Sequence, residues 1–292
     1  MTILGSPTLA RTEWRPLAQA HEEAADALTA GRRRRAGRGE SHAIEDFLYD
    51  YYSTRPAQLR RWHPGAGVVL EDALEHAGWK LYRTDAGRTQ VDVPAFMAAR
   101  GSAVDFVERL LRATADRPAR LGCFGMHEWA MAYRAGEDIR HPLPLRLGQD
   151  GTDAVVESHP IACSHFDAFR FFTPEAVPLN RIQPTRATQI DLEQPGCLHA
   201  TMDLFKWSAK LTPAVPSALQ LEAFALALDV RQVDMQASPY DVSGFGLPAI
   251  AVETPEGKRE YVERQRDFAA RGAALRARIL DAITHLRELA EY

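Results

Sequence analysis

The sequence has little cysteine and no long apolar run, and each shortage excludes a class of protein. No stretch of the 292 residues approaches the roughly 20 consecutive apolar positions of a transmembrane helix, and the N-terminus lacks the apolar core of a signal peptide. We therefore expect a cytoplasmic protein with no membrane partner. Cys123, Cys163 and Cys197 show no Cys-x-x-Cys spacing, which argues against a disulfide framework and a thiolate zinc site.

The chain has no excess of positive charge, but part of its positive charge is concentrated near the N-terminus. The formal net charge is −4, whereas a protein that coats nucleic acid is usually basic. Four consecutive arginines, Arg32 to Arg35, and the pair Arg60 and Arg61 could contact nucleic-acid phosphates, or the run could be the solvated end of a helix. His63 follows that pair, so Arg60, Arg61 and His63 are candidate phosphate-binding residues, with an ordinary surface turn as the alternative.

Hydrophobic residues make up 46% of the chain, enough for a sizeable core, and their spacing is mainly helical. The pattern predicts helices over residues 12–35, 42–52, 93–115, 199–211, 217–235 and 259–291. Apolar runs on both sides of a glycine turn predict a hairpin near residues 143–157, and residues 249–253 resemble a strand. We predict a mainly α protein with a small antiparallel β-sheet, an α+β fold in a single compact domain. Residues 1–40 would form an N-terminal helix and basic segment, and residues 41–292 the main helical domain.

Four of the ten histidines precede a carboxylate by one to four residues, inside short aromatic-rich segments. These histidines are His42, His127, His165 and His199. A buried polar group that finds no partner costs a few kcal/mol, so packing alone does not explain this pattern. It predicts an enzyme. Each cysteine also lies within four residues of one of these histidines, although a free cysteine is commonly just a small buried hydrophobe.

The segment at residues 197–207 has the clearest catalytic pattern. On a helix, His199, Asp203 and Lys206 stand at i, i+4 and i+7 and share a face, with Trp207 beside them. An imidazole, a carboxylate and an ammonium on one stripe can supply a general base, its orienting acid and an electrostatic stabiliser. The alternative is a salt-bridged amphipathic face.

The segment at residues 158–172 offers further catalytic and substrate-binding candidates. His165 and Asp167 could take part in catalysis, while Phe166, Phe169 and Arg170 could line a pocket, since ligand pockets combine apolar walls with a few polar groups. The phenylalanines could equally belong to the core. Three aromatic residues elsewhere are substrate-binding candidates as well: Trp62, Trp207 and Tyr240.

A metal site is the alternative use of the same histidines. Two histidines and a carboxylate could hold iron, and three such ligands plus water could hold zinc. The candidate ligands are His42, Glu45, Asp46, His127, His165 and His199. No His-Glu-x-x-His motif is present, so the prediction rests on composition and not on a motif.

Five segments of the chain carry a resemblance to known proteins: Arg-Arg-Trp-His-Pro-Gly at 60–65, Cys-Ser-His-Phe-Asp-Ala-Phe-Arg-Phe-Phe at 163–172, and the segments 42–48, 194–199 and 237–241. Through them nearly the whole chain resembles a group of actinobacterial proteins commonly labelled 3-methyladenine DNA glycosylase. It implies a hydrolase of N-glycosidic bonds that excises bases from alkylated DNA or acts on a related nucleoside. The chain has no helix-hairpin-helix segment of the Leu-Pro-Gly-Val-Gly type.

Base excision needs an aromatic pocket, a carboxylate and basic groups, and the chain has candidates for each. Asp203 or Asp167 would be the carboxylate, and no cofactor would be needed. The alternative function is a metal-dependent enzyme, using iron or zinc, that acts on a small molecule.

Overall fold

The computed structural model describes residues 7–136, 139 and 141–291, and it confirms a mainly helical α+β fold with one small sheet. Over these residues the helices are α1 Arg11–Leu28, α2 Ala30–Arg38, α3 Phe47–Tyr51, α4 Pro56–Leu59, α5 Leu74–Ala77, α6 Val93–Ala115, α7 Met126–Ala132, α8 Gly148–Ser158, α9 Phe166–Phe169, α10 Gln189–Leu192, α11 Leu198–Lys210, α12 Ser217–Gln236 and α13 Pro255–Ala290. The strands are β1 Thr8–Leu9, β2 Val69–Glu71, β3 Tyr82–Asp85 and β4 Arg88–Val91. None of the described helices has the length and apolarity that a bilayer crossing requires.

The four strands form a mixed sheet in the order β1-β2-β4-β3. Strand β1 runs parallel to β2, and the other two pairings are antiparallel. Strands β3 and β4 are joined by Ala86 and Gly87, which both have positive φ, 45° and 77°. Two residues of this kind form the tight turn whose twist matches that of a hairpin. The sheet is therefore built around a hairpin at residues 82–91.

The prediction of a hairpin near residues 143–157 was wrong, because residues 148–158 form helix α8. Only Leu145 in this region makes an antiparallel bridge, and its partner is Tyr240. The buried residues of α8 are Thr152, Val155 and Val156, at i, i+3 and i+4, which is the spacing of one helical face. A short apolar run is compatible with the period of a helix or with that of a strand, and this run forms a helix. Residues 249–253 likewise form no strand.

The long predicted helices are confirmed with small shifts at their ends. Helix α6 begins after Asp92, whose side chain accepts a hydrogen bond from the Ala95 amide at 3.1 Å. Helix α13 begins after Thr254, which caps it by accepting from the Gly257 amide at 3.1 Å. The predicted opening helix at 12–35 is divided at Thr29 into α1 and α2.

Helix α11 lies at the centre of the molecule, packed against α12 and α13, and α13 also packs against α6. Ten of its residues are buried, from Leu198 to Phe205 together with Trp207 and Ser208. A helix buried on nearly all sides is usually apolar throughout. Here it carries His199 and Asp203 into the core, so these side chains must find polar partners there.

Candidate functional site

One group of polar residues, the histidine–aspartate cluster, consists of His127 on α7, His199 on α11 and Asp234 on α12. The Nε2 atom of His127 lies 2.8 Å from Oδ1 of Asp234, and the rings of His127 and His199 meet edge to face with centroids 4.4 Å apart. Each residue offers one ligand atom, and these three atoms lie within 4.8 Å of one another. All three side chains are buried. Three helices thus bring two imidazoles and a carboxylate to one point.

Burial and charge set the protonation states in this cluster. Burial alone would lower the pKa of His127, but the charge of Asp234 raises it well above its usual value. Burial and the neighbouring His127 together hold the pKa of His199 well below its usual value, so His199 is neutral. Its Nδ1 atom is buried and has no hydrogen-bond partner among the described residues. A neutral imidazole with a free ring nitrogen is the form that binds a metal ion.

Arg231 fixes the orientation of Asp234 from the side away from His127. Its Nη1 atom donates to Oδ2 of Asp234 at 2.9 Å and to Oε1 of Glu128 at 2.6 Å. The Nη2 atom of Arg231 lies 3.1 Å from Nε2 of His141. The carboxylate that faces the two histidines is therefore held by its second oxygen, an arrangement typical of groups that orient metal ligands.

A second group, the Lys206 cluster, consists of Lys206, Asp203, Asp167 and His165. The Nζ atom of Lys206 lies 2.6 Å from Oδ2 of Asp167 and 3.1 Å from Oδ2 of Asp203. The Nε2 atom of His165 lies 3.4 Å from Oδ2 of Asp203. Burial would raise the pKa of Asp203, yet His165 and Lys206 hold it well below its usual value. Burial would lower the pKa of Lys206, but Asp203 raises it.

The two clusters are contiguous, and together they contain all five predicted catalytic residues. The rings of His165 and His199 lie 5.3 Å apart between centroids. The hydroxyl group of Tyr52 donates a hydrogen bond to Oδ1 of Asp203 at 2.9 Å, so the second oxygen of that carboxylate also has a partner. His199, Asp203 and Lys206 follow one another along α11, as their spacing predicts.

A small cavity adjoins the histidine–aspartate cluster. Its volume is about 10 Å³, room for about one water molecule, and its lining includes His127, His199 and all three cysteines. Burial raises the pKa of the Cys163 and Cys197 thiols, so both are protonated. Cys123 and Cys197 therefore share this location with the histidines that follow them in the sequence, His127 and His199.

Three predicted metal ligands lie elsewhere, so His42, Glu45 and Asp46 do not form one site with the other histidines. Asp46 pairs with Arg32 at 2.8 Å and also with Arg35, which pairs with Glu45 at 2.7 Å. Nδ1 of His42 accepts hydrogen bonds from the backbone amides of Ile44 and Glu45. Both acids are therefore paired with arginines of the basic run, and these ion pairs neutralise part of its positive charge.

The predicted substrate-binding residues are spread over the molecule. Trp62 stacks on Trp14 with centroids 6.2 Å apart, and Tyr240 is fully buried 5.1 Å from the His141 ring. Phe169 packs on Phe172, 5.1 Å away between centroids. Three lie close to the Lys206 cluster instead. The Nζ atom of Lys206 lies 4.5 Å from the centroid of the Trp207 ring, and Nε of Arg170 lies 3.3 Å from Oδ1 of Asp167. The guanidinium carbon of Arg186 lies 5.0 Å from the centroid of the Phe166 ring.

The predicted phosphate-binding residues divide into two groups. Arg60 pairs with Glu22 at 2.8 Å and with Asp26 at 3.2 Å, so its charge is already neutralised. Arg61 and His63 line a cleft that Lys206 also reaches. Arg33 pairs with Asp26, which further reduces the positive charge of the N-terminal run.

Asp234, Arg231 and Glu193 were not predicted as site residues, although Asp234 belongs to the histidine–aspartate cluster, Arg231 holds its second oxygen, and Oε1 of Glu193 lies 3.5 Å from Nε2 of His165. In α12 the residues Phe224, Ala227, Arg231 and Asp234 are all buried at helical spacing. Two charged residues in line with an apolar stripe are unusual on a helix, and this pattern could have identified Arg231 and Asp234 from the sequence.

Comparisons of this chain with protein-family models, with curated proteins and with solved structures give no match.

Proposed function

We propose that the protein is a metal-dependent enzyme in which His127, His199 and Asp234 hold a divalent transition metal, iron or zinc. One observation carries the proposal: three buried residues on three different helices each offer a ligand atom, and these three atoms lie within 4.8 Å of one another. Two imidazole nitrogens and one carboxylate oxygen are a ligand set that suits non-haem iron and catalytic zinc.

The buried ring nitrogen of His199 supports a metal at this cluster, and a metal ion would have to displace the proton that Asp234 holds on His127. An ion pair needs only His127 and Asp234, and it leaves Nδ1 of the neutral His199 buried without a partner among the described residues. A buried polar atom that makes no hydrogen bond costs about 1–3 kcal/mol. A metal ion would use His199 as well, and Arg231 would hold the second oxygen of Asp234 in place.

A bound metal would supply Lewis acidity and lower the pKa of a bound water. The adjoining cavity of about 10 Å³ has room for about one such water-sized molecule. His165 lies against His199 on one side and against Asp203 and Glu193 on the other. His165 is thus placed to hold or move a proton beside the cluster, with Oδ2 of Asp203 at 3.4 Å from its Nε2 atom.

Excision of an alkylated base is the second candidate function, and one observation favours it. Lys206 is held between Asp167 and Asp203, and it lines an open cleft of about 500 Å³. This arrangement would place an amine, held by two carboxylates behind it, beside a bound nucleoside. Asp203 and Asp167 are both buried and neither lines the cleft, so in this reaction Lys206 would face the substrate first.

The metal proposal is tested by elemental analysis of protein purified without a histidine tag and reconstituted separately with iron(II) and zinc(II). We expect about one metal ion per chain, and its loss in the variants His199→Gln and Asp234→Asn. His42→Gln is the matched control, because His42 lies outside the cluster and should leave the metal content unchanged. Circular dichroism would establish that each variant is folded. Absence of metal from the reconstituted wild type, or full retention in both cluster variants, would contradict the proposal.

The second candidate is tested by base release from alkylated DNA. Release that persists after chelation and disappears in Lys206→Met would favour base excision over the metal-dependent reaction. If neither wild type nor any variant releases a base, the second candidate is removed while the metal proposal stands.

A further inference from the structure

The cleft that Lys206 reaches is strongly basic. It has a volume of about 500 Å³ and lies between the α3–α4 connection, the α5–β3 connection, α6 and the C-terminal end of α11. Its lining contains five cationic side chains and no aspartate or glutamate: Arg61, Lys80, Arg100, Lys206 and Lys210. The whole chain has a net charge of −4, so the cleft has the opposite sign to the molecule.

Four of these cations take no part in an ion pair. Among the described residues, no carboxylate lies within ion-pair distance of Arg61, Lys80, Arg100 or Lys210, whereas the neighbouring Arg60 pairs with two acids. Like charges gathered in a concave wall repel one another and focus a positive potential into it. An anionic ligand would relieve this repulsion.

The rest of the lining suits a ligand that also has an apolar part. Trp79, Leu81 and Pro213 supply apolar surface, and Ser53, Thr54 and Gln58 supply hydrogen-bonding groups. The Arg61 guanidinium lies 5.7 Å from the centroid of the Trp79 ring. Pockets of about 300–1,000 Å³ that combine apolar walls with a few polar groups hold small molecules.

We propose that this cleft binds a small phosphate-bearing molecule of nucleotide size. Its phosphates would contact Arg100, Lys80 and Lys210 at the open side, and its apolar part would lie against Trp79. Lys206 is the least exposed of the five cations, and it contacts Asp203 of the Lys206 cluster. The site is separate from the metal ligands, so binding requires no metal.

The test measures binding of ADP and pyrophosphate to chelator-treated wild-type protein by calorimetry at low ionic strength. We expect a single site whose affinity falls as salt is added, and no binding of uncharged adenosine under the same conditions. Arg100→Gln and Lys80→Gln should each weaken ADP binding about tenfold, since a hydrogen bond to a charged group contributes about that much. Both side chains are exposed, so the variants should fold normally.

Two matched controls come from the same elements or their neighbours. Arg109→Gln changes another exposed arginine of α6, and Arg83→Gln changes an exposed arginine of β3; neither residue lines the cleft. Both should bind ADP as the wild type does. Equal weakening in the controls, absence of ADP and pyrophosphate binding, or equally good binding of adenosine would overturn the proposal. Tighter binding of a 20-nucleotide single strand than of ADP, lost in Arg100→Gln, would overturn it in favour of a nucleic-acid site.

Discussion

Arg231 lies between Glu128 and Asp234 with 1% of its surface exposed. Burying three charges is unfavourable unless they are paired, and here each carboxylate has the guanidinium as its partner. The same arginine therefore stabilises the fold and orients the carboxylate of the candidate metal centre. Its loss should affect both properties.

We expect Arg231→Met to lower the free energy of unfolding by about 3–5 kcal/mol, because Glu128 would be left buried without its cation and Asp234 would keep only His127 as its partner. The measurement is urea denaturation at neutral pH. The matched control is Arg278→Met, which removes an ion pair with Glu222 whose side chains are 52% and 50% exposed. It should cost less than about 1 kcal/mol. Equal losses in the two variants would contradict the role given to Arg231.

His63 gives the molecule a defined pH dependence. Burial lowers the pKa of His63 to about 3, and its Nδ1 atom lies 2.9 Å from the hydroxyl group of Tyr82. The unfolded chain takes up a proton near pH 6.5, but the folded chain does not until about pH 3. Stability from this group is therefore full above about pH 6.5 and is lost as the pH falls toward 3.

Between about pH 6 and pH 4, unfolding of the wild type is accompanied by uptake of up to one proton at His63. We expect His63→Gln to reduce the slope of the free energy of unfolding against pH by up to about 1.4 kcal/mol per pH unit in this range. The measurement is a series of denaturation curves across this range. The exposed His285 provides the control, His285→Gln, which should leave the slope near that of the wild type. An unchanged slope in His63→Gln would show that His63 is not the group responsible.

At the scale of elements, close contact between backbones decides which glycines can be replaced. A Cβ atom at Gly257, in the first turn of α13, would lie 2.0 Å from the carbonyl oxygen of Ala251. At Gly101, in the middle of α6, the nearest atom would be Cε of Met97 at 3.9 Å. The first position has no room for a methyl group and the second has ordinary van der Waals space.

The same substitution should consequently have opposite effects at the two sites. Gly257→Ala should destabilise the protein by about 1–3 kcal/mol through overpacking. Gly101→Ala should stabilise it by about 0.5–1 kcal/mol, because alanine loses less conformational freedom in a helix. Thermal and urea denaturation of both variants provide the check, and a stable Gly257→Ala variant would refute the close approach of α13 to Ala251.

The elements differ in how far their sequence determines them. Helices α6, α11, α12 and α13 are long enough for their apolar period to be evident, and each was predicted within a few residues. The hairpin at 82–91 was missed because Thr84, Asp85 and Arg88 are exposed and leave little apolar alternation. Val155 and Val156 gave a false strand signal, since a helix can bury the same pair.

At the scale of the whole molecule, the candidate site joins segments that are far apart in the chain. The spacing of His199, Asp203 and Lys206 could be read from one helix, and the structure places them in adjoining clusters. Asp234 could not be assigned in this way, because only the packing of α12 against α11 brings it to His199. The local sequence pattern was enough to single out His199, whereas Asp234 can be assigned to the site only from the packing of the helices.

A metal held by α7, α11 and α12 would connect three helices of the core and should stabilise the whole fold. We expect zinc(II) or iron(II) at about 100 times its dissociation constant to raise the free energy of unfolding by about 2.7 kcal/mol. The measurement is thermal unfolding with metal and with a chelator. Asp234→Asn should abolish the shift, while Glu45→Gln, whose carboxylate pairs with Arg35, should retain it. The same shift in both variants would contradict the assigned ligands.

Helix α13 has a consequence for the order of folding. It packs against α6 and α11, and Arg287 near its end pairs with Asp105 and Glu108 in the first half of the chain. During synthesis, residues 255–290 are the last of these segments to leave the ribosome. Helix α11, which carries His199, Asp203 and Lys206, leaves the ribosome before the helix that covers part of its surface, so its burial is completed only after α13 has been synthesised.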